Sequence, residues 1–559
     1  MALIKSKYTV DPPATNLLSY LFDAPYNDHG GWPETEPLLL SAKDPNFLGY
    51  TIKEIESIVK RLGCGLNKLE TQEKRIMVYG TDNVHFCLAV LSVIAAGAAC
   101  NVLAVSPVEY LVTRLRQLEC DAILFAPQDL EIVRAAAKEV GIPDKRLFIV
   151  DEALHDPDET YGAGGIRHWS YLLDTPGHEI YEWPKLSPEE AKTTTAFLIY
   201  TSGTTGTSKL AERTHYSLIG SIESMLHHSN LEKTHRETMA CCYKFSGLGF
   251  LMLGIIIPLK GRNKTIFPAP FEPSSFAETV ERLKPTILAA PKHILRAILA
   301  VPERPDLSSV RHVPTGGAVI SYELIAEWQR VSRSQVQSLY GMTEAGFFAT
   351  PEPIHVVRDS SVGTLLPNVE AKVLDDKESL LQRNQRGNVY IRTPFVMKGY
   401  LHEPVQTAET VGQDGWIRTG DIGWIDDDDQ LYIVGRSKDL FKIKGDNVTA
   451  AEIEAAILMH PEVEDVAVIP VDLLSDDPLI RPGDPEPVPR GYIVKSDGSS
   501  LTLDKLASWM KHNHPSELSL LGGASFIETI PITIGGNSKV DRQRLVKLAQ
   551  DELCLLNGK

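Results

Sequence analysis

The chain has 559 residues, 43% of them hydrophobic and 23% charged, enough apolar material for more than one packed core. A net charge of −17 excludes a protein built mainly to grip duplex nucleic acid, because phosphate binding on that scale needs a basic face. The seven cysteines form no CxxC pair and no framework spacing, which predicts reduced thiols rather than a disulfide scaffold.

The first residues, MALIKSKYTVDPPATN, lack the apolar core of a signal peptide. Residues 74–80 (KRIMVYG) read as a short apolar strand and the run NVHFCLAVLSVIAAG as a helix with an apolar face, ended by glycine. AACNVLAV follows as a strand, PVEYLVTRLRQLE as an amphipathic helix and DAILFAP as a strand. The same rhythm recurs at KPTILAAPKHILRAILA and VRHVPTGGAVISYELIAEWQRV. Strand and helix in alternation imply mostly parallel sheets covered by helices, an α/β fold. The most apolar stretches, 86–100 and 247–259, are too short for a membrane span and read as buried helix or strand.

Between about 351 and 435 the rhythm changes. Short strands (EAKVLD, GNVYIRT, WIRTGDIGWID, QLYIVG) are separated by Gly, Asp and Asn turns, which predicts an antiparallel, barrel-like β subdomain, with DDDD at 426–429 as a solvated turn. A new unit begins after residue 435: helix AAEIEAAILMHP, strand VEDVAVIPV, a Pro- and Asp-rich loop at 473–490, strand RGYIVKS, helix TLDKLASWMKH and a short tail. The expectation is an N-terminal domain over 1–435 and a small α+β domain over 436–559. The chain ends Asn-Gly-Lys, unlike an SKL-type peroxisomal tail, so a cytoplasmic protein with no membrane span is expected.

One short run carries unusual chemistry: YTSGTTGTSKLAERTH, residues 200–215. Glycines let backbone N–H groups converge on one point, Thr201, Ser202, Thr204 and Thr205 add hydroxyl donors, and Lys209 adds a full charge. That set suits a polyphosphate. The run follows the apolar strand AFLIY, so it sits at a strand's C-terminal end, where open α/β sheets bind ligands. It is not a Walker loop, which requires a Gly-Lys pair here absent. Taken alone it also fits a flexible surface loop.

Three further stretches, QSLYGMTEAG (337–346), GWIRTGDIGWID followed by GRSKDLFKIKGDNVTAAEIE (415–454), and GGNSKVDR (535–542), stand in register with it. Together, from about residue 40 to 548, they resemble the adenylate-forming superfamily, and length and pattern look most like its 4-coumarate–CoA ligase branch. The resemblance implies a large N-terminal domain and a small mobile C-terminal domain with the active site between them. It implies that a carboxylate attacks the α-phosphate of Mg-ATP to give acyl-AMP, and that a thiol, usually of coenzyme A, then displaces AMP.

By that resemblance Thr201, Ser202, Gly203, Thr204, Thr205, Gly206 and Lys209 would cradle the phosphates of ATP. Glu344 and Thr204 or Thr205 would hold Mg²⁺, a hard ion suited to oxygen donors. Gly316, Gly317 and Ala318 would line the adenine and acyl sites, Tyr340 would lie on the adenine face with Gly341 and Met342 beside it, and Thr343 would touch the α-phosphate. Asp421 would accept from the ribose hydroxyls and Arg436 would bind the ribose-phosphate region. Lys539 would be catalytic, bridging carboxylate and α-phosphate where charge builds in the transition state; alone, a lysine in a glycine-rich tail reads as a solvated surface residue. Lys442 is a second catalytic candidate near AMP. Lys438 would be the hinge, and Lys444 and Gly445 would line the coenzyme A tunnel. Lys244, Ser246, Gly247, Gly316, Gly341, Ala345 and Gly346 would form the acid pocket, and the glycines there either leave room for a planar acid or are required by the backbone.

The sequence also departs from the family. Ser208-Lys209-Leu210 replaces the usual Pro-Lys-Gly, which predicts altered loop mobility with ATP binding retained. Lys244 stands where a histidine is frequent and would face either a second polar group on the acid, solvent, or a coenzyme A phosphate. Asn447 replaces a common glutamine, and Asn537-Ser538 replaces Ser-Gly ahead of Lys539. The implied partners are a small carboxylic acid, ATP and coenzyme A, with no nucleic acid. Two rivals stay open: transfer of the acyl group to an amine or a carrier-protein thiol, and a non-catalytic nucleotide-binding relative.

Overall fold

The alternation of strand and helix is realised as two large sheets with helices packed on them. The structure, a computed structural model, describes residues 1–26, 31–42, 49–69, 73–80, 84–151, 165–201, 208–228, 236–268, 271–301, 304–351, 360–443, 446–471, 487–532 and 540–556.

An eight-stranded sheet has the strands Arg75–Gly80, Ala99–Ala104, Ala122–Phe125 and Leu147–Ile149 in parallel at its centre. The expected helix after the first strand is Val84–Ala95, and all twelve of its residues are buried, so it is covered all round rather than on one face. At one edge, Thr195–Thr201 joins Ala99–Ala104 in parallel and then pairs antiparallel with Lys209–Thr214.

Fourteen strands make the second sheet. Its first half is parallel: Pro37–Leu40, Lys264–Ile266, Thr238–Cys241, Ile287–Ala289, His312–Gly316 and Gln335–Met342 lie side by side. At Gln335–Met342 the direction reverses, and Gly346–Thr350, Ser361–Leu365, Leu431–Arg436, Ile417–Ile425, Gly387–Arg392 and Glu370–Leu374 follow antiparallel. The β-rich stretch read from sequence is therefore antiparallel, and it is hydrogen bonded directly onto the parallel half. Asp426–Asp429 is its expected turn, closed by Asp426 Oδ1, which accepts from the N–H groups of Asp428 and Gln430.

Beyond residue 439 come a two-stranded sheet, Leu440–Ile443 with Asp446–Thr449, and a three-stranded sheet built on the hairpin Val463–Val471 and Val488–Lys495. The expected short tail is in fact the helix Arg542–Leu556, which packs Leu545 and Ala549 against the inner face of that hairpin. Among the described residues, no hydrophobic cluster mixes chain from before and after residue 440. Polar contacts cross that seam: Arg386 to Glu452 at 2.8 Å, Arg296 to Asp465 at 3.4 Å, and the Thr449 hydroxyl to the Val434 carbonyl at 2.8 Å. Among the described residues no helix is long and apolar enough to cross a membrane, and 247–259 is the buried helical run Phe250–Ile256 and Ile257–Lys260.

Candidate active site

Four parallel neighbours, Thr238–Cys241, Ile287–Ala289, His312–Gly316 and Gln335–Met342, end at one edge of the large sheet. The loops that leave their C-terminal ends hold Lys244 to Gly247, Lys292 and His293, Gly316 to Ala318, and Thr343 to Gly346. The carboxyl edge of a parallel sheet is where α/β folds bind ligands. The loops are tied together: the Gly316 N–H donates to the Tyr243 hydroxyl at 2.8 Å, and the Cys242 N–H donates to the Ala289 carbonyl at 2.8 Å.

Tyr340, at the end of this row, donates from its hydroxyl to Asp421 Oδ2 at 2.7 Å. Asp421 and Arg436 face each other across antiparallel strands, and Arg436 Nε lies 3.1 Å from Asp421 Oδ1. A second Arg436 nitrogen donates to the Thr419 carbonyl at 2.9 Å. Burial and the neighbouring Asp421 carboxylate hold the Tyr340 phenol well above its ordinary pKa, so it stays a donor. Burial alone would lower Arg436, but Asp421, Tyr340, Glu344 and Asp439 together outweigh it and the guanidinium is held more firmly charged. Asp421 is therefore held from both sides, by the Tyr340 hydroxyl and the Arg436 guanidinium.

Glu344 begins a second chain of contacts. Tyr400 donates to Glu344 Oε1 at 2.5 Å, and the Lys209 ammonium lies 5.0 Å from the centre of the Tyr400 ring. Burial, then the Glu344 charge, push the Tyr400 phenol up, which keeps the proton on its oxygen. The main chain on either side of Glu344 is also held. Arg213, with no solvent exposure, donates to the Thr343 carbonyl at 2.8 Å and to the Phe395 and Ser217 carbonyls at 3.2 and 3.0 Å. Burial pushes Arg213 down to about 10, with Glu344 pulling the other way, so it remains a cation at neutral pH.

The departure at 208–210 has a structural account. Thr201 and Lys209 are cross-strand partners, so the glycine-rich run is the connection of a hairpin, and Leu210 already belongs to its second strand. Leu210 is buried in the core of the eight-stranded sheet, where an extended conformation suits leucine. The glycine freedom expected to matter at 210 is not needed there. Ser202, Gly203, Thr204, Thr205 and Gly206 lie outside the described residues, as do Lys444, Gly445 and Lys539. His215 does not face this site: its Nδ1 accepts from the Leu17 N–H at 2.9 Å and anchors the N-terminal segment.

The pocket glycines divide in two. At Gly341 a Cβ would stand 2.2 Å from the Gly346 carbonyl oxygen, and at Gly316 one would stand 2.6 Å from the Leu339 carbonyl oxygen, so both are required by backbone approach. Gly317 has φ +91 and nothing within 4 Å of where a Cβ would sit, so it borders open space. Ala318 is exposed beside it, and Ala345 is buried, its carbonyl 3.4 Å from the Ser221 hydroxyl. Lys244 and Ser246 point to different surroundings: Lys244 is exposed, while Ser246 is buried and its hydroxyl has no hydrogen-bond partner among the described residues. Lys438 and Lys442 are exposed on the C-terminal side of Arg436, and Lys442 pairs in register with Asn447.

Sequence reasoning missed Arg213, Tyr400 and Tyr243. Arg213 was visible in the run KLAERT, where strand alternation puts it on the face of Ala211, but a charged residue in a strand reads as solvated unless its partners are known. Among the described residues no group of three or more His, Cys, Asp or Glu is placed to hold a metal. A divalent ion would therefore rely on the Glu344 carboxylate and on the phosphate oxygens of its nucleotide, a donor set that suits Mg²⁺.

Residues 45–401 match the family model described as AMP-binding enzyme. The chain is 34% identical over 538 residues to 4-coumarate–CoA ligase 4 of Arabidopsis thaliana, covering 93% of this chain and 90% of that protein. It is 31% identical over 505 residues to 4-coumarate–CoA ligase 2 of Solanum tuberosum, covering 87% of each. The fold is shared with ATP-bound MatB of Rhodopseudomonas palustris, with a TM-score of 0.79 at 21% identity over 96% of this chain and 99% of that one. The chain thus belongs to the AMP-binding enzyme family, the adenylate-forming superfamily, in the branch that holds the plant 4-coumarate–CoA ligases.

Proposed function

We propose that the protein is an AMP-forming acid–thiol ligase, which activates a carboxylic acid with ATP and passes the acyl group to coenzyme A. The observation that carries this reading is the pair of connected sets Tyr340–Asp421–Arg436 and Glu344–Tyr400–Lys209, which join the strand Gln335–Met342 and the turn after it to a carboxylate–arginine pair and to a lysine.

Asp421 accepts from the two ribose hydroxyls, for which a carboxylate with two oxygens is suited. Arg436 neutralises the ribose-phosphate end, and Tyr340 presents its ring to the adenine. Lys209 stands at the foot of the phosphate loop, where Thr201 to Gly206 supply backbone and hydroxyl donors to the departing pyrophosphate. Glu344 with Thr204 would hold Mg²⁺, which would supply charge neutralisation for the phosphates. Thr343 touches the α-phosphate. Lys539, delivered by the segment 436–559, stabilises the charge that builds on the α-phosphate oxygens as the carboxylate attacks, with Lys442 a second cation near AMP. Turning of that segment about Lys438 exchanges Lys539 for the strand with Lys444 and Gly445, which guide the thiol. Gly317 and Ser246 border the acid.

The test is pyrophosphate release with Mg-ATP and a panel of carboxylic acids, each with and without coenzyme A. The panel starts with 4-coumarate, the acid in the names of the relatives. Acid-dependent release, thioester only with coenzyme A, and loss of about 10²–10³ in rate in Lys539→Ala support the ligase. Release without thioester for any acid moves the acceptor to an amine or a carrier-protein thiol. ATP binding with no release for any acid refutes an enzyme of this class.

A further inference from the structure

The residue after Lys539 is Val540, and from there the chain is held at every step. Val540 forms an antiparallel bridge with Ile532, and the Asp541 N–H donates to the Pro531 carbonyl at 2.7 Å. Asp541 Oδ1 accepts from the Arg544 N–H at 3.1 Å and caps the helix Arg542–Leu556. The two ends of the stretch 533–539 are therefore joined at a closed base.

Arg542, the first residue of that helix, uses all three of its guanidinium nitrogens. Its Nε lies 3.4 Å from Asp439 Oδ2, one Nη donates to Glu454 Oε1 at 3.0 Å, and the other donates to the Val468 carbonyl. Both carboxylate residues are buried. Asp439 closes the short turn Ser437–Asp439, directly after Lys438. Glu454 belongs to the helix Ala450–Leu458 and also accepts from the Val468 N–H at 2.9 Å. One side chain thus joins the base of 533–539 to the turn at Lys438, to a helix and to the strand Val463–Val471.

Two buried carboxylates cost free energy unless a cation answers them, and Arg542 answers both. Its planar fork fixes direction as well as distance. All of these contacts lie on the C-terminal side of Lys438, so they travel together when the segment turns. Turning at Lys438 carries Lys539 to one place only if what lies between is stiff, and a catalytic group misplaced by about 1 Å costs about 10²-fold in rate. The strand Leu440–Ile443, which leads to Lys444 and Gly445, leaves the turn directly and does not run through Arg542. We propose that Arg542 is a positioning residue for acyl-adenylate formation: it clamps the base of the Lys539 stretch to the turn beside Lys438. This rests on the ligase reading above.

The experiment measures the two half-reactions separately on the full chain: pyrophosphate release from acid and Mg-ATP, and thioester formation from supplied acyl-adenylate and coenzyme A. It compares wild type, Arg542→Ala, Arg542→Lys, Lys539→Ala and the double variant Arg542→Ala with Lys539→Ala. Arg542→Lys keeps a cation beside the buried carboxylates, and so the fold, but not the three-way fork. Adenylation should fall about 10- to 100-fold in Arg542→Ala and less in Arg542→Lys, with thioester formation within about twofold of wild type. In the Lys539→Ala background the residual adenylation rate should not fall again, because the clamp acts only through that lysine. Equal loss in both half-reactions overturns the proposal and leaves Arg542 as a folding residue. A further equal drop in the double variant, or unchanged adenylation in both single Arg542 variants, also overturns it while the ligase stands. A wild type that forms no acyl-adenylate from any acid overturns the ligase reading and the clamp together.

Discussion

Arg213 holds the carbonyl of Thr343 at 2.8 Å from a side chain with no exposure to solvent. The two residues are 130 positions apart, on a strand of the smaller sheet and on the turn after a strand of the larger one. This single guanidinium therefore ties both sheets together directly behind Glu344. Its planar fork reaches the Thr343, Ser217 and Phe395 carbonyls at once, which an ammonium on a flexible stem cannot reproduce.

Replacing Arg213 by lysine should lower stability by about 2 kcal/mol, because buried carbonyls lose their donors. It should slow acyl-adenylate formation more than it raises the KM of ATP, since the turn of Thr343 and Glu344 loosens while the ribose contacts at Asp421 stay. Urea unfolding and pyrophosphate exchange read the two effects. An unchanged unfolding midpoint would refute the role.

Asp421→Asn keeps the shape and removes the charge that faces Arg436 at 3.1 Å. The KM for ATP should rise about 10- to 100-fold, the scale of a charge-assisted hydrogen bond of about 1.5–3 kcal/mol. Tyr340→Phe removes only the 2.7 Å donor and should raise it severalfold less. If the tyrosine variant were the worse of the two, Asp421 would not be the primary ribose contact.

Tyr400 connects Lys209 to Glu344, so Tyr400→Phe keeps the ring under the lysine and removes the bond to the carboxylate. The dependence on Mg²⁺ concentration should shift while the KM of the acid stays. A titration of rate against Mg²⁺ at fixed ATP checks this, and an unmoved titration curve would separate Glu344 from the metal.

Gly317 and Gly341 should respond in opposite ways to alanine. Gly341→Ala places a methyl 2.2 Å from a main-chain oxygen and should fail to give soluble, folded protein. Gly317→Ala meets open space, and at φ +91 it costs about 1–2 kcal/mol of backbone strain, so the protein folds. Its methyl then enters the ligand space and should raise the KM of ATP or of the acid about tenfold, on the scale of 1.4 kcal/mol. Normal kinetics in folded Gly317→Ala would remove this position from the site.

Burial pushes His85 and His215 down to about 4 from an ordinary 6.5. Below pH 6.5 the unfolded chain takes up protons there that the folded one refuses, so their contribution is whole above 6.5 and is lost as the pH falls toward 4. Asp129 works the other way. Burial raises it from 3.8 to about 6, so the folded chain binds its proton first, and it costs stability above 6. Asp129→Asn should raise stability at pH 7 by about 2 kcal/mol and steepen the acid loss between pH 6 and 4 by about 1.4 kcal/mol per pH unit, one proton's worth. Urea midpoints from pH 4 to 7 for the two proteins, subtracted, isolate Asp129. A difference that does not change with pH would refute its titration in this range.

The elements were legible wherever a periodic run met a punctuating residue. The strand Arg75–Gly80 and the helices Val108–Leu118 and Leu503–Asn513 stand where apolar spacing and Gly or Pro boundaries put them. The helix Arg542–Leu556 was not legible, because its run RQRLVKLAQDELCLL is largely polar and its few apolar residues acquire meaning only against the hairpin they cover. Leu210 illustrates a second limit. In a motif it reads as a lost glycine, whereas in the sheet it is a core residue of a strand.

By itself, the order of residues determined the α/β class, the strand-to-antiparallel change near 351, and the family, because these depend on local periodicity and on motifs a few residues long. It also named Tyr340, Glu344, Asp421 and Arg436 as chemistry-bearing. Only the tertiary structure decided how they are joined: Tyr340 to Asp421 to Arg436, Lys209 to Tyr400 to Glu344, and Arg213 to Thr343. The physical reason is that a side chain's charge state and partners come from what surrounds it. Burial among carbonyls makes Arg213 structural, and that surrounding is not written in the spacing of the chain.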